Sequence, residues 1–252
     1  MEQETQKLVQ QAAEALVRWR HGVALTGAGI SVDSGIPDFR STGGLWERFD
    51  PLEYASIQAF RDSPQRVWKM LAELDLLLQN ARPNPAHRAL ARLEHLGVLD
   101  GLVTQNVDNL HQEAGSQQVV EFHGNGSQLR CLSCGAVEPA TRLRELGMPP
   151  RCPGCKDVLK PDVVFFGEMI PEEPMRRSME LLARCKVMLV VATSATVAPA
   201  SLIPMAARQQ GAFLIELNLA STELTASCDL TIHASVTESL PLLANNVEEI
   251  LE

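Results

Sequence analysis

Short apolar runs alternate with helical patterns along most of the chain, and this alternation limits the possible folds more than any other feature. The apolar runs lie at residues 23–26, 102–104, 119–122, 187–191, 213–215 and 230–232. Apolar residues recur at helical spacing at about residues 4–20, 65–80, 86–96, 174–184, 201–210 and 237–250. This order predicts an α/β fold with a doubly wound, Rossmann-like parallel sheet, which binds ligands at the carboxyl ends of its strands.

Two segments interrupt the alternation. Residues 36–64 are rich in Gly, Pro, Ser and aromatic residues without clear periodicity, which is typical of a long functional loop or a small helical lobe. Residues 124–162 lose the pattern again and contain paired cysteines. We therefore expect a Rossmann-like domain at 1–35, 86–123 and 163–252, a covering loop with a helical insertion at 36–85, and a small module at 124–162.

Charge and hydropathy restrict the partners of the chain. A formal net charge of −9 over 252 residues argues against broad contact with a polyanion, because nucleic-acid binding normally needs a basic surface. No stretch approaches the ~20 apolar residues of a membrane span, and the N-terminal segment has neither a basic head nor an apolar signal core. We expect a cytoplasmic protein that contacts no membrane and does not bind nucleic acid directly.

Two Cys-x-x-Cys pairs give the strongest signal that spacing alone provides. Their four cysteines, with 17 residues between the pairs, are Cys131, Cys134, Cys152 and Cys155. This spacing predicts one structural zinc ion held by four thiolates, which leaves no coordination position for a catalytic water. A redox pair or a disulfide is the alternative interpretation. We expect Cys185 and Cys228 to be small buried apolar residues.

A glycine-containing loop follows the first apolar run. Gly27 and Gly29 could turn tightly and present backbone N–H groups to a pyrophosphate, although a plain turn from strand to helix would use the same residues. The third glycine of G-x-G-x-x-G is replaced by Val32. Acidic residues do occur at 47–50, but no strand precedes them, so a dinucleotide must be held differently from the usual Rossmann mode.

Polar side chains follow two other predicted strands. Gln105, Asn106 and Asp108 come after the run at 102–104, where they could bind ribose hydroxyls and a carboxamide, or merely cap a loop. His123 ends the run at 119–122 and should reach the same edge of the sheet. A histidine there can act as a general base near neutral pH, although a structural role is the alternative.

Taken together, a series of motifs from about residue 20 to residue 240 resembles the sirtuins, a family of NAD-dependent protein-lysine deacylases. The motifs are GAGIS at 27–31, SGIPDFR at 34–40, PNPAH at 83–87, TQNVDNLHQEAG at 104–115, EFHG at 121–124, KPDVVFFGE at 160–168, ATSATVAPA at 192–200 and ELN at 216–218. The resemblance implies that NAD is consumed as a co-substrate and that Phe39 shields the reacting carbon. The implied NAD-binding residues are Gly27, Ala28, Gly29, Val32, Phe39, Arg40, Gln105, Asn106, Val107, Asp108, Thr193, Ser194, Asn218 and Val236.

The resemblance also implies a reaction and a site for acyl-lysine peptides. The acyl oxygen attacks C1′ of the nicotinamide ribose, His123 takes a proton from a ribose hydroxyl, and Asn106 positions the ribose or an ordered water. Free lysine, nicotinamide and an O-acyl-ADP-ribose are the implied products. The implied tunnel and peptide-pairing residues are Val163, Val164, Phe165, Phe166, Gly167, Glu168 and Val197. The apolar ones could equally be sheet core, and Thr193 and Ser194 a helix cap.

Three positions qualify the resemblance. Lys160 replaces a frequent arginine, so we expect a salt bridge there to be weaker or absent. Leu71 and Leu74 occupy the positions of an acid-binding Tyr and Arg in the desuccinylating branch, which favours acetyl or apolar acyl groups over succinyl. Ala192 stands where most relatives have glycine. Two other hypotheses are a different NAD user, such as an ADP-ribosyltransferase or a redox enzyme, and a non-catalytic zinc-ribbon module that senses a nucleotide.

Overall fold

The computed structural model describes residues 2–39, 44–143 and 145–252. Its α-helices are α1 (Gln3–Trp19), α2 (Leu45–Arg48), α3 (Pro51–Tyr54), α4 (Ile57–Asp62), α5 (Pro64–Asn80), α6 (Pro85–His95), α7 (Leu110–Glu113), α8 (Glu172–Leu182), α9 (Ile203–Gln209) and α10 (Val236–Leu251). Its strands are β1 (Gly22–Thr26), β2 (Leu99–Thr104), β3 (Val119–Glu121), β4 (Gly124–Cys131), β5 (Val137–Pro139), β6 (Leu159–Val163), β7 (Val187–Val191), β8 (Phe213–Asn218) and β9 (Leu230–His233). Short 3₁₀ helices cover Ala28–Ser34, Ala140–Arg142, Ala200–Leu202 and Thr225–Ser227.

The predicted parallel sheet is confirmed. Six strands pair in the order β3-β2-β1-β7-β8-β9, and every neighbouring pair is parallel. The chain moves outward from β1 to β3, returns to the far side of β1 at β7, and then moves outward again to β9. The strand order therefore reverses between β1 and β7, and a crevice for ligands opens at the carboxyl ends of strands at such a point.

Both faces of the sheet are covered, which explains why its strands are continuous apolar runs rather than alternating ones. One apolar cluster joins one face of the sheet to α1, α6 and α10, and includes the fully buried Leu16, Leu90 and Leu243. A second cluster covers the other face and includes Leu182 and Ala207 of α8 and α9. Burial on both faces fixes the register, so the strand ends are held at defined positions.

The segment without periodicity folds into three short helices, α2 to α4. Asp50 caps α3 by accepting a hydrogen bond from the backbone N–H of Leu52, and Ser56 caps α4 in the same way. Helix α5 then packs on the cysteine-containing module, a three-stranded antiparallel sheet in the order β5-β4-β6. The indole N–H of Trp68 donates to the backbone oxygen of Leu159 at 2.9 Å. The two inserted segments therefore share one apolar cluster.

Within the described ranges, no helix combines the length and the apolar character that crossing a bilayer requires. The two cysteines outside the paired motifs differ in burial. Cys185 is buried in the second apolar cluster, as predicted, whereas Cys228 is only partly buried against it.

Candidate active site

A cavity of about 770 Å³ opens at the carboxyl ends of β1, β2, β7 and β8 and reaches the inserted helices. The predicted site residues that line it are Gly27, Ala28, Gly29, Val32, Phe39, Leu71, Leu74, Gln105, Asn106, Val107, His123, Val163, Val164, Phe165, Phe166, Gly167, Glu168, Thr193, Ser194, Val197, Asn218 and Val236. Asp108 is not among the lining residues, and Arg40 lies outside the residues that the structure describes. Residues far apart in the sequence thus meet around one cavity.

The glycine loop is shaped by its contact with β7. A Cβ atom at Gly27 would lie 2.6 Å from Cβ of Thr193, and one at Gly29 would lie 2.9 Å from the backbone oxygen of Ala192. The N–H of Gly27 donates to Val191 O and that of Gly29 donates to Ala192 O. These two amides are therefore engaged within the protein, in contrast to the prediction that they point at a pyrophosphate. Glycine is needed here because two backbone segments approach closely.

Ser31 organises the polar wall beside this loop. Its hydroxyl donates to Oδ2 of Asp108 at 2.6 Å and accepts a hydrogen bond from the side-chain amide of Asn106 at 3.1 Å. The other carboxylate oxygen of Asp108 accepts from the backbone N–H of Leu110. These two donors leave acceptor capacity on the Asp108 carboxylate, and a contact between Asp108 and NAD stays a prediction. Asp108 also fixes Ser31, and Ser31 in turn bonds Asn106 at the cavity.

Two neutral histidines lie behind this wall. His87 and His111 are fully buried with their rings 4.9 Å apart. Burial lowers the pKa of His87 to about 4 and that of His111 to about 3. The Nε2 atom of His111 lies 2.9 Å from Oγ1 of Thr26, which also bonds Thr104. These uncharged imidazoles support the ends of β1 and β2 and do not reach the cavity wall.

The position and the tautomer of His123 are those that a general base requires. Its Nδ1 atom lies 3.1 Å from the backbone oxygen of Gln105. Because a carbonyl oxygen can only accept, Nδ1 carries the proton and Nε2 keeps a free lone pair. Burial lowers the pKa of His123 below its ordinary value of 6.5, and the hydrogen bond to Gln105 opposes that shift. The ring is therefore neutral near pH 7 and can take up a proton.

Side-chain amides define the end of the cavity nearest β7 and β8. The amide of Gln105 donates to Oγ1 of Thr193 at 2.9 Å, and that of Asn218 donates to the backbone oxygen of Thr193 at 3.0 Å. Oγ1 of Thr193 also accepts from the backbone N–H of Ala195, so this threonine does cap a turn. Three strand ends are thereby tied together, and Gln105, Thr193 and Asn218 all line the cavity.

The opposite end of the cavity is apolar. Met70, Leu71 and Leu74 of α5 face it, together with Trp46 and Phe165. Of these, sequence reasoning missed Met70 and Trp46, because neither belongs to a polar or glycine-containing motif. Among the described lining residues there is no Lys or Arg. A carboxylate that entered this end would find no cationic partner among them.

Lys160 forms a salt bridge, although the replacement of a frequent arginine by lysine predicted a weaker one or none. Nζ of Lys160 lies 3.0 Å from Oε2 of Glu168, and only 4% of Lys160 is exposed. The ammonium also donates to the backbone oxygens of Pro161 and Val163 and lies 4.4 Å from the ring centroid of Phe165. Oε2 of Glu168 accepts from the backbone N–H of Phe165 as well. Lysine therefore suffices to fix the segment 165–168 on the cavity wall.

Replacing Lys160 with methionine should leave Glu168 without its cation. We expect the free energy of unfolding to fall by about 1–3 kcal/mol, less than for a fully buried pair, because 23% of the Glu168 side chain is exposed. Because the sirtuin resemblance assigns the segment 165–168 to peptide binding, we expect the KM for peptide to rise more than the KM for NAD. Chemical denaturation and steady-state kinetics measure both quantities. Lys160→Arg is the matched control, and equal changes in the two KM values would contradict a specific role in peptide binding.

The four paired cysteines converge in the small module. The Sγ atoms of Cys131 and Cys155 lie 3.4 Å apart, and those of Cys134 and Cys152 lie 3.6 Å apart. All four lie within 4.8 Å of one another. A tetrahedral zinc ion with Zn–S bonds of ~2.3 Å separates its sulfur ligands by roughly 3.8 Å, so the four thiolates fit a structural zinc site.

Known proteins share this arrangement. The Sir2 family model matches residues 27–199. The NAD-dependent protein deacetylase of Caldivirga maquilingensis is 45% identical over 244 residues, which are 95% of this chain and 94% of that protein. A mutant Sir2 homologue in complex with 2′-O-acetyl ADP ribose has a TM-score of 0.91 at 38% identity, covering 100% of this chain and 98% of its own. Sir2Af2 bound to a myristoylated histone peptide has a TM-score of 0.83 at 33% identity, covering 97% and 98%.

The parallel sheet, the crevice at its switch point and the four-thiolate module define a nucleotide-binding fold with an inserted metal ribbon. The family model and the full-length similarity also identify the family. The chain belongs to the Sir2 family, as its motifs predicted.

Proposed function

We propose that this protein is an NAD-dependent protein-lysine deacylase. One observation carries the proposal: a neutral His123, whose Nδ1 is bonded to the backbone and whose Nε2 keeps a free lone pair, lines the cavity that connects the amide-bearing wall with the apolar end. The relative from Caldivirga maquilingensis is an NAD-dependent protein deacetylase, and Sir2Af2 was solved with an acylated histone peptide. These relatives support NAD and an acylated peptide as the ligands, and the chemistry of the cavity suits the dinucleotide on its polar side and the acyl-lysine on its apolar side.

NAD supplies an electrophilic ribose carbon whose leaving group is nicotinamide. Asn106, held by Ser31, would orient the ribose, while Phe39 would exclude water from the reacting carbon. Gln105, Thr193, Ser194, Asn218 and Val236 would bind the rest of the dinucleotide. The apolar residues of α5 and of segment 163–166 would hold the acyl-lysine amide in line with the ribose, because positioning compensates for the weak nucleophilicity of an amide oxygen.

The acyl oxygen would displace nicotinamide at C1′ of the ribose and form an imidate. His123 would then take a proton from a ribose hydroxyl through Nε2, and that hydroxyl would attack the imidate carbon. Departure of the lysine amine and addition of one water would leave the acyl group on the ribose. Free lysine, nicotinamide and an O-acyl-ADP-ribose are the resulting products. A Sir2 homologue solved with 2′-O-acetyl ADP ribose supports this product. The hydrogen bond from Nδ1 to the backbone of Gln105 would stabilise the imidazolium that forms.

We further propose a preference for acetyl and longer apolar acyl groups over succinyl. Leu71 and Leu74 line the acyl end, and no cation lines it among the described residues. A buried succinyl carboxylate would lack a partner, at a cost of several kcal/mol. Deacetylation should therefore exceed desuccinylation in kcat/KM by at least about tenfold, since 1.4 kcal/mol corresponds to a factor of ten.

Placing an arginine at Leu74 tests the physical basis of that preference. Leu74→Arg should raise the succinyl-to-acetyl ratio of kcat/KM, because it supplies the missing cation. Leu76→Arg is the matched control, since Leu76 lies on the same helix with 56% of its surface exposed. The ratio is measured with one peptide sequence carrying either acyl group. A wild-type enzyme that cleaves the succinyl peptide faster would contradict the preference.

Mass spectrometry of the products tests the function itself. Incubation with NAD and an acetyl-lysine peptide should yield nicotinamide, the deacetylated peptide and O-acetyl-ADP-ribose in equal amounts. Nicotinamide release that does not need the peptide would favour an ADP-ribosyltransferase, and formation of NADH would favour a redox enzyme. Binding of NAD without any turnover would favour a nucleotide-sensing module.

A further inference from the structure

Three aromatic rings stand in series along the cavity wall. The rings of Phe39 and Trp46 are stacked, with centroids 4.9 Å apart and an interplanar angle of 29°. The rings of Trp46 and Phe166 are tilted, with centroids 6.2 Å apart. All three residues line the cavity, with Phe39 on the side proposed for NAD and Phe166 on the side proposed for the peptide. Trp46 therefore contacts both sides.

Trp46 is also attached to the Phe39 segment through the backbone. Its N–H donates to the backbone oxygen of Phe39 at 3.0 Å, and the N–H of Leu45 donates to that of Asp38 at 2.9 Å. The stacked rings and these two hydrogen bonds hold residues 38–39 against residues 45–46. A change in the position of Trp46 must therefore change the position of Phe39.

The backbone of Phe166 is fixed, while its ring remains partly accessible. Its N–H donates to the oxygen of Ala55, and its oxygen accepts from the N–H of Ile57. These bonds and the Lys160–Glu168 pair hold the backbone of the segment 165–168. The side chain of Phe166 is 39% exposed, so an occupant of the peptide side can contact the ring that Trp46 contacts from the other side.

We propose that Trp46 is a positioning residue that couples the binding of acyl-lysine peptide to the binding of NAD. Peptide contact would restrict the Phe166 ring, which would restrict Trp46 and hold Phe39 in the position that covers the nicotinamide ribose. Part of the ordering cost of the second ligand is then already met by the first. This inference rests on the proposed function, because it assumes that the two sides take these two ligands.

The coupling factor is the ratio of NAD affinities with and without peptide, and it must equal the ratio of peptide affinities with and without NAD. We would measure it by calorimetry with carba-NAD, whose nicotinamide cannot leave, and an acetyl-lysine peptide. The wild-type protein should bind carba-NAD more tightly when peptide is saturating. Trp46→Ala should reduce the coupling factor by about two- to tenfold, the effect expected from losing one aromatic pair.

Trp46→Phe and Trp19→Ala keep the test specific. Trp46→Phe retains an aromatic ring and should recover most of the coupling. Trp19→Ala removes a half-exposed tryptophan that packs on Phe213 at the end of α1, outside the cavity, and should leave the coupling factor unchanged. If Trp46→Ala fails to fold, Trp46→Leu serves as the variant without an aromatic ring. Its coupling factor should then be smaller than that of Trp46→Phe, and equal coupling factors would overturn the role of the ring.

The outcomes separate the two proposals. Absence of carba-NAD or peptide binding by the wild-type protein overturns the proposed function. Binding of both ligands without coupling, or equal losses of both affinities in Trp46→Ala with an unchanged coupling factor, overturns the role of Trp46 alone. Full loss of coupling in Trp46→Phe would overturn the claim that aromatic stacking transmits it.

Discussion

Replacing His123 with alanine should lower kcat/KM for deacylation by about 10²- to 10⁴-fold, the usual contribution of a positioned general base. His123 lines the cavity, and its Nε2 is the free imidazole nitrogen, since Nδ1 is bonded to the backbone of Gln105. His87 and His111 lie behind the wall and cannot substitute for it. Binding of carba-NAD should change little, because the imidazole acts on the proton rather than on the dinucleotide phosphates.

The pH profile gives an independent check on the same residue. Burial lowers the pKa of His123 below 6.5, so the ring is neutral above that lowered value and becomes protonated as the pH falls through it. The kcat/KM of the wild-type protein should therefore fall on the acid side only below pH 6.5. The residual activity of His123→Ala should not show this fall. His95→Ala, at an exposed position at the end of α6, is the control. A variant at His123 with wild-type activity would exclude the imidazole as the base.

Removing the metal should unfold the module at 124–162. Structural zinc contributes roughly 10 kcal/mol or more to small domains of this kind, as much as the whole stability of many proteins. The thiolates, at Sγ separations of 3.4 and 3.6 Å, are close enough to share one tetrahedral ion. Loss of β6 would also release Lys160 and with it the segment 165–168, so activity should be lost together with structure.

Elemental analysis and thermal melting test this expectation. The purified protein should contain one zinc ion per chain, and a chelator or Cys152→Ser should lower the melting temperature sharply. Cys228→Ser should keep both the ion and the melting temperature, because Cys228 lies outside the cluster. Chelated protein that contains no metal yet melts at the wild-type temperature would show that the module is stable without an ion.

The sheet and the convergence of its strand ends could be predicted from the sequence for a simple physical reason. Strands that are buried on both faces must be apolar throughout, and their carboxyl ends must meet at one edge. Local pattern therefore placed Gln105, Asn106 and His123 in one cavity. The helices α2 to α4 could not be predicted individually, because segments of 4 to 6 residues are too short to establish a helical period.

Contacts between distant segments account for the predictions that were wrong. Gly27 and Gly29 are required by close contact with Ala192 and Thr193, which follow β7 and lie more than 150 residues away in the sequence; their N–H groups are not free to face a phosphate. The strength of the Lys160 ion pair depends on burial by the segment 165–168, which the residue type alone does not reveal.

The most direct measurement is a crystal structure of the wild-type protein with carba-NAD and an acetyl-lysine peptide. Nε2 of His123 should lie within about 3.2 Å of a hydroxyl of the nicotinamide ribose, or reach it through one water. The acetyl oxygen should face the ribose carbon from the side of Phe165 and Leu71. An imidazole beyond hydrogen-bonding reach of both ribose hydroxyls, with no bridging water, would contradict its assignment as the base.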